Sequence, residues 1–170
     1  MAYYKDPAGV RNREKFATAI ALAAAIAVPA EGLRQWAYND IANPSLLTVC
    51  YGSTTDVVPG VLYSLEECKR RLDGDMLQAV IQVDRCVPDA PVPVLAAFAD
   101  AVYNMGPTIA CDKTKSTAAR LLADKSWTAA CLQLRHWNKA RVAGVLVELP
   151  GLTKRRKDEE AVCLSYEFSG

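Results

Sequence analysis

Between Phe16 and Ala30 the chain reads FATAIALAAAIAVPA, fifteen residues without a charge. Alanine and leucine favour helix, and a helix that is apolar all round belongs either in a protein core or in a bilayer. In both cases the run ends at Glu31, so it sets an acid at the C-terminal end of a helix. At about 1.5 Å per residue the run spans roughly 22 Å, against about 30 Å of hydrocarbon in a bilayer. Alanine adds little insertion energy, so a membrane-crossing form is marginal. A cleaved secretory leader would also match, because Lys5, Arg11, Arg13 and Lys15 precede the run and the small residues Val28 and Ala30 close it. Cleavage there would leave Glu31 first in the chain and delete the helix that has to position it. That reading is rejected.

After Glu31 the pattern changes. Asn39-Asp40 and Ala42-Asn43-Pro44-Ser45 are turn residues, Leu46 to Tyr51 is apolar and β-branched enough for a strand, and Gly52-Ser53 supplies the next turn. Glu31, Asp40 and Thr48 therefore fall where a helix hands over to a small sheet. Breaking an acetal needs a proton for the leaving oxygen and a negative group facing the developing oxocarbenium ion. A carboxylic acid shielded at a helix end, a second carboxylate in a wetter turn and a hydroxyl that holds water meet those needs. Spacing alone does not establish the chemistry, since a Glu, an Asp and a Thr this close are common in solvated loops.

The motifs carry more. Glu31-Gly32-Leu33-Arg34, Tyr38-Asn39-Asp40 and Thr48-Val49-Cys50-Tyr51-Gly52 resemble the active-site signature of the phage lysozymes (muramidases) of the T-even and lambdoid type. The gap from Asp40 to Thr48 is two residues longer than usual in that pattern, with Asn43-Pro44-Ser45 the expected insertion. Ser53 stands where the family often has His. Farther on, Ala97-Phe98 through Tyr103-Asn104-Met105-Gly106 is similar to the family's central helix, and Ser116 to Leu122 to the next. Trp137 and the run from Gly151 to Glu160 resemble its closing Gly-Leu-x-x-Arg-Arg-x-x-Glu helix.

The resemblance implies an α+β fold, mostly helical and lysozyme-like, with a small antiparallel sheet. It implies one domain in two lobes: an N-terminal segment 1–30 with its apolar helix 16–30, a small lobe 31–75 with the site, and a helical lobe 76–170. It implies hydrolysis of the β-1,4 bond between N-acetylmuramic acid and N-acetylglucosamine in peptidoglycan, for host lysis. Glu31 is then the general acid, with Asp40 and Thr48 positioning water. Tyr103, Asn104 and Ser53 become candidate substrate-binding residues. An aromatic face and an amide suit a sugar ring and its N-acetyl group, although Tyr103 as core and Asn104 as a helix cap is an equal alternative. The N-terminus resembles that of lambdoid endolysins whose signal-anchor is later released, so that residues 16–30 would tether the chain transiently to the host inner membrane, facing the periplasm. A plain core helix is the competing reading. An inactive, membrane-anchored peptidoglycan binder and a lytic transglycosylase are the functional alternatives.

Composition excludes other classes. A net charge of +1 gives no steering toward nucleic acid. There is one His, and none of the six cysteines stands as Cys-x-x-Cys, so neither a metal nor any other cofactor is expected. Six cysteines are either buried small hydrophobes or disulfides of an oxidising compartment; disulfides are preferred. Cys131–Cys163, on successive helices, is the first choice, with Cys50–Cys68 and Cys86–Cys111 as local pairs. A monomer is expected.

Ser64-Leu65-Glu66-Glu67 reads as a capping box, opening a helix that should end at Asp73-Gly74, with a second from Asp75 to Val87. Val92 to Met105 reads as the central buried helix, stopped by Gly106-Pro107. A short helix follows over Ser116–Ala123, then helices over Trp127–Lys139 and Thr153–Tyr166, Gly144 breaking the pattern between them. A single sheet is expected near residues 36 to 63. Arg155 and Arg156 could reach Glu31 or the glycan's peptide stems, but a solvated basic face is the expected reading, and His136 reads as surface or packing.

Overall fold

The computed structural model describes residues 7–39 and 45–168, with side chains from 12 to 39 and from 45 to 167. Asp40 lies outside the described residues. The first helix, α1, runs Pro7–Glu31. It starts before the uncharged run because polar residues such as Asn12, Arg13 and Glu14 continue the helical stretch in solvent. Ala19, Ala23 and Ala27 form its buried stripe in one core cluster with the central helix α3 (Val92–Met105), small side chains that suit close helix packing; Ile26 is buried as well. The opposite side, including Ala17, Thr18, Ala21 and Ala25, is exposed. The run is thus one-sided in the fold, despite reading as apolar all round. Lys15 ties α1 to α2 (Leu65–Cys86), donating to Asp84 at 2.6 Å and to the Pro88 carbonyl at 3.0 Å. Among the described residues, no helix is long and apolar enough to cross a membrane.

Two strands follow α1, β1 (Arg34–Asn39) and β2 (Leu47–Cys50). They pair antiparallel with Tyr38 opposite Thr48 and Arg34 opposite Cys50, the register shifting between those pairs. Val49, Cys50, Tyr63 and Cys68 make a small apolar cluster of their own beneath this ribbon. Arg71 on α2 clasps the following loop, donating to the Thr55 carbonyl at 2.6 Å while its guanidinium lies over the Tyr63 ring.

Ser64 caps α2 by accepting from the Glu67 amide at 3.1 Å. The expected break at Asp73-Gly74 does not occur. Glycine inside a helix costs only about 1 kcal/mol, and the stripe Cys68, Leu72, Met76, Ala79, Val80, Val83 keeps helical spacing across it. Every residue of α3 from Pro93 to Val102 is buried, as expected of the central helix. Of the short helices that follow, α4 (Thr108–Cys111) packs on α3, α5 (Thr117–Ala123) on α4, and α6 (Trp127–Gln133) on α5 and the closing helix, and a 3-10 turn Leu134–His136 ends α6 earlier than expected.

The expectation of a single sheet was incomplete. Lys139–Val142 (β3) and Val145–Glu148 (β4) form a second antiparallel hairpin. Its turn is Ala143-Gly144, both with positive φ (48° and 84°), the conformation that two-residue hairpin turns require. The closing helix α7 spans Pro150–Leu164, beginning earlier than expected because Pro150 suits a first helical turn. The three disulfides are the expected ones: Cys50–Cys68 joins β2 to α2, Cys86–Cys111 joins α2 to α4, and Cys131–Cys163 joins α6 to α7.

Candidate active site

Glu31 is the last residue of α1, and Gly32 leaves the helix with φ +70°, which turns the chain into β1. The carboxylate stays about a quarter exposed and accepts a short hydrogen bond from Arg155 Nη1. Arg155 is itself almost wholly buried. Its remaining donors grip Asp100 on α3 through two parallel bonds, Nε to Oδ2 at 2.9 Å and Nη2 to Oδ1 at 2.8 Å. Such a bidentate fork fixes the guanidinium plane. Burial works against the charge on Arg155, but hydrogen bonds and charges from Asp100 and Glu31 outweigh it and hold the group above its ordinary value. Glu31 is thereby placed from the core outward.

The turn after β2 approaches Glu31 from the other side. Gly52 has φ +98°, and a Cβ built there would lie 3.4 Å from the Tyr103 hydroxyl and 3.7 Å from Glu31 Oε2. Those separations are ordinary contact; it is the left-handed backbone, which a side chain would strain, that calls for glycine at this turn. Tyr103, in the last turn of α3, donates its hydroxyl proton to the Tyr51 carbonyl in a short bond and so pins the same turn. Burial raises the phenol above its usual value, helped by the charges of Glu31 and Asp75. A hollow of about 340 Å³ opens beside Glu31, with Asn104, Leu149, Leu152 and Arg155 in its wall.

Glu31, Tyr103 and Asn104 are brought together, Glu31 and Asn104 bordering one hollow and Tyr103 meeting Glu31 across Gly52. Thr48 sits on β2, buried, and its hydroxyl has no hydrogen-bond partner among the described residues. Ser53 is buried, in a bridge to Val49, and its hydroxyl is engaged by Asp75 of α2. Burial lifts the Asp75 carboxyl above its usual range, against that hydrogen bond and the Arg71 charge. Asn104 accepts from Arg156 Nη2 at 3.1 Å. His136 is exposed, as expected.

One expectation is overturned. Arg155 and Arg156 are not a solvated basic face; they are 3% and 0% exposed. Long cationic side chains go inside only when paired, and here carboxylates from three helices meet them: Glu31, Asp100 and Glu159. Asp100, Asp75 and Glu159 are site residues that sequence reading missed. A signal existed for Asp100, the lone charge in the apolar run from Val92 to Met105. A charge in a fully buried helix needs a partner of opposite sign.

Residues 29–159 match the family described as Phage lysozyme. The chain is 35% identical over 136 residues to the SAR-endolysin of Bacteriophage PS119, covering 79% of this chain and 76% of that protein. It is 35% identical over 151 residues to the SAR-endolysin of Pseudomonas phage phiKMV, covering 85% of this chain and 88% of that one. Among solved structures, the active form of P1 phage endolysin Lyz superimposes with a TM-score of 0.71 at 23% identity, over 85% of this chain and 83% of that one.

Proposed function

The chain belongs to the phage lysozyme family of glycosidase-type enzymes, and we propose that it is an endolysin cleaving the β-1,4 bond between N-acetylmuramic acid and N-acetylglucosamine in bacterial peptidoglycan. The observation that carries this is an acid at a helix end, beside a hollow, oriented by an arginine that is itself locked to a buried aspartate. Glu31 passes its proton to the glycosidic oxygen as the bond to the anomeric carbon breaks. Asp40 takes a proton from the attacking water on the opposite face, or steadies the cation before water adds. Thr48 orients that water; a buried hydroxyl without a partner among the described residues supports the role. Tyr103 and Asn104 would meet the sugar ring and its N-acetyl group. Residues 31–75 and 76–170 then act as the two walls of the cleft, with peptidoglycan glycan strands as the partner and the chain working as a monomer.

Digestion of purified cell walls followed by mass spectrometry tests the chemistry. Reducing-end products carrying one added water are expected. Anhydro ends would assign a transglycosylase instead, and no released fragments would assign an inactive binder.

The SAR-endolysin names of the relatives support a periplasmic enzyme first tethered to the inner membrane by residues 16–30. The exposed alanines and Thr18 of α1 make such a span weak, which suits a segment that leaves the bilayer and docks on α3. Fractionating cells before and after membrane depolarisation is expected to move the protein from the membrane to the soluble fraction. A protein that is soluble throughout would remove the tether from the account.

A further inference from the structure

We propose that the Tyr103 hydroxyl is a positioning group for the reaction: by holding the turn after β2 against Glu31, it sets where Thr48 and its water stand relative to the acid. The proposal rests on the reading of Glu31 as the acid and of Thr48 as the residue that orients water.

The turn is closed on itself. The Val49 amide donates to the Ser53 carbonyl at 2.9 Å, and the Val49 carbonyl accepts from Ser53 at 2.9 Å and from Gly52 at 3.2 Å. Thr48 directly precedes this loop on β2, so the two move together. Cys50 and Gly52 both have positive φ, 61° and 98°. A residue with a side chain seldom adopts that conformation, and it persists only where the surroundings enforce it. Two fasteners act here, on neighbouring residues. Cys50 is bonded to Cys68 on α2, and the Tyr51 carbonyl accepts from the Tyr103 hydroxyl on α3.

The two fasteners refer the turn to different bodies. The disulfide fixes it within the small apolar cluster beneath the ribbon. The Tyr103 bond fixes it to α3, the helix whose Asp100 holds Arg155 and, through Arg155, Glu31. Tyr51 itself packs against both clusters, so its carbonyl stands where the small lobe meets the helical one. The Arg155 guanidinium also lies over the Tyr103 ring, 5.9 Å from its centre. Acid and latch therefore take their places from one arginine. They meet at Gly52, where a Cβ would stand 3.4 Å from the hydroxyl and 3.7 Å from Glu31 Oε2. Phenylalanine in place of Tyr103 would deprive the Tyr51 carbonyl of this donor and leave the strained turn held from one side only.

Tyr103→Phe keeps the ring, so any contact between that ring and a sugar is retained. On solubilised peptidoglycan kcat is expected to fall about tenfold or more, as for a misplaced reacting group. KM is expected to stay within about twofold of the parent, because ground-state binding is untouched. An unchanged kcat overturns the proposal, and so does a rise in KM alone, which would assign the hydroxyl to sugar binding. Thr48→Ala and the double variant supply a readout that a merely structural tyrosine would not move. Since Tyr103 acts through the placement of Thr48, the double variant is expected to lose no more than the larger single loss; losses that multiply overturn the proposal. One test needs no substitution. Proton NMR of the parent is expected to show the Tyr103 hydroxyl exchanging slowly with water and lying close to Gly52, and a freely exchanging hydroxyl sinks the idea even if Tyr103→Phe does not fold. A Glu31→Gln protein that cleaved cell walls at the parent rate would refute the general-acid reading separately, whatever Tyr103→Phe does.

Discussion

Glu31→Gln is expected to reduce cleavage of purified cell walls by at least about a thousandfold, within the usual range for loss of a general acid. Glutamine matches glutamate in size, and its amide oxygen can still accept the hydrogen bond from Arg155 that holds the side chain beside the hollow. What it lacks is a proton to give. The melting temperature should stay near that of the parent, because the amide replaces only a partly exposed member of the cluster. Substrate binding should survive as well, since the wall formed by Asn104 and Leu152 is untouched. A folded Glu31→Gln protein that clears cell walls at the parent rate would end the assignment of this carboxyl.

Arg155→Met is expected to be the most destabilising single change in the site. It strands Asp100, fully buried and held by that guanidinium through two bonds. Removing one partner of a buried ion pair costs about 3–5 kcal/mol, or a melting point lower by roughly 10 °C for a chain of this size. Activity should also fall about a hundredfold, because the acid loses the group that orients it. The double variant Asp100→Leu/Arg155→Met separates the two effects. Melting measured by circular dichroism should recover much of the loss, since an apolar pair replaces an orphaned charge, while cell-wall cleavage should remain low. If the single variant melted with the parent, the fork between α3 and α7 would not be what secures this region.

Much of this architecture is legible in the sequence, and the parts that are not share a cause. The central helix, Glu31 at a helix end and the cysteine pairs follow from patterns local in sequence or from short separations. Arg155 misleads because its partners are 55 and 124 residues away, on α3 and α1, and nothing in α7 alone distinguishes a buried basic pair from a solvated one. The continuity of α2 is hidden because Asp73-Gly74 is strong turn chemistry locally, yet tertiary packing of Leu72 and Met76 overrides it. The hairpin at Lys139–Glu148 escapes because Gly144 reads as a break, although an Ala-Gly turn between β-branched residues is also what a tight hairpin looks like. Asp40 lies outside the described residues, so its role rests on the sequence motif.

The cross-links join residues 50 to 68, 86 to 111 and 131 to 163, and none reaches α1. One set of cross-links ties β2, α2 and α4 and another ties α6 to α7, whereas among the described residues the helix that ends at Glu31 is held by packing, by Lys15 and by the carboxylate itself. On the proposed reading of residues 16–30 as a released tether, α1 is the element free of cross-links that would arrive last, and the ion pair of Glu31 with Arg155 would latch it in place.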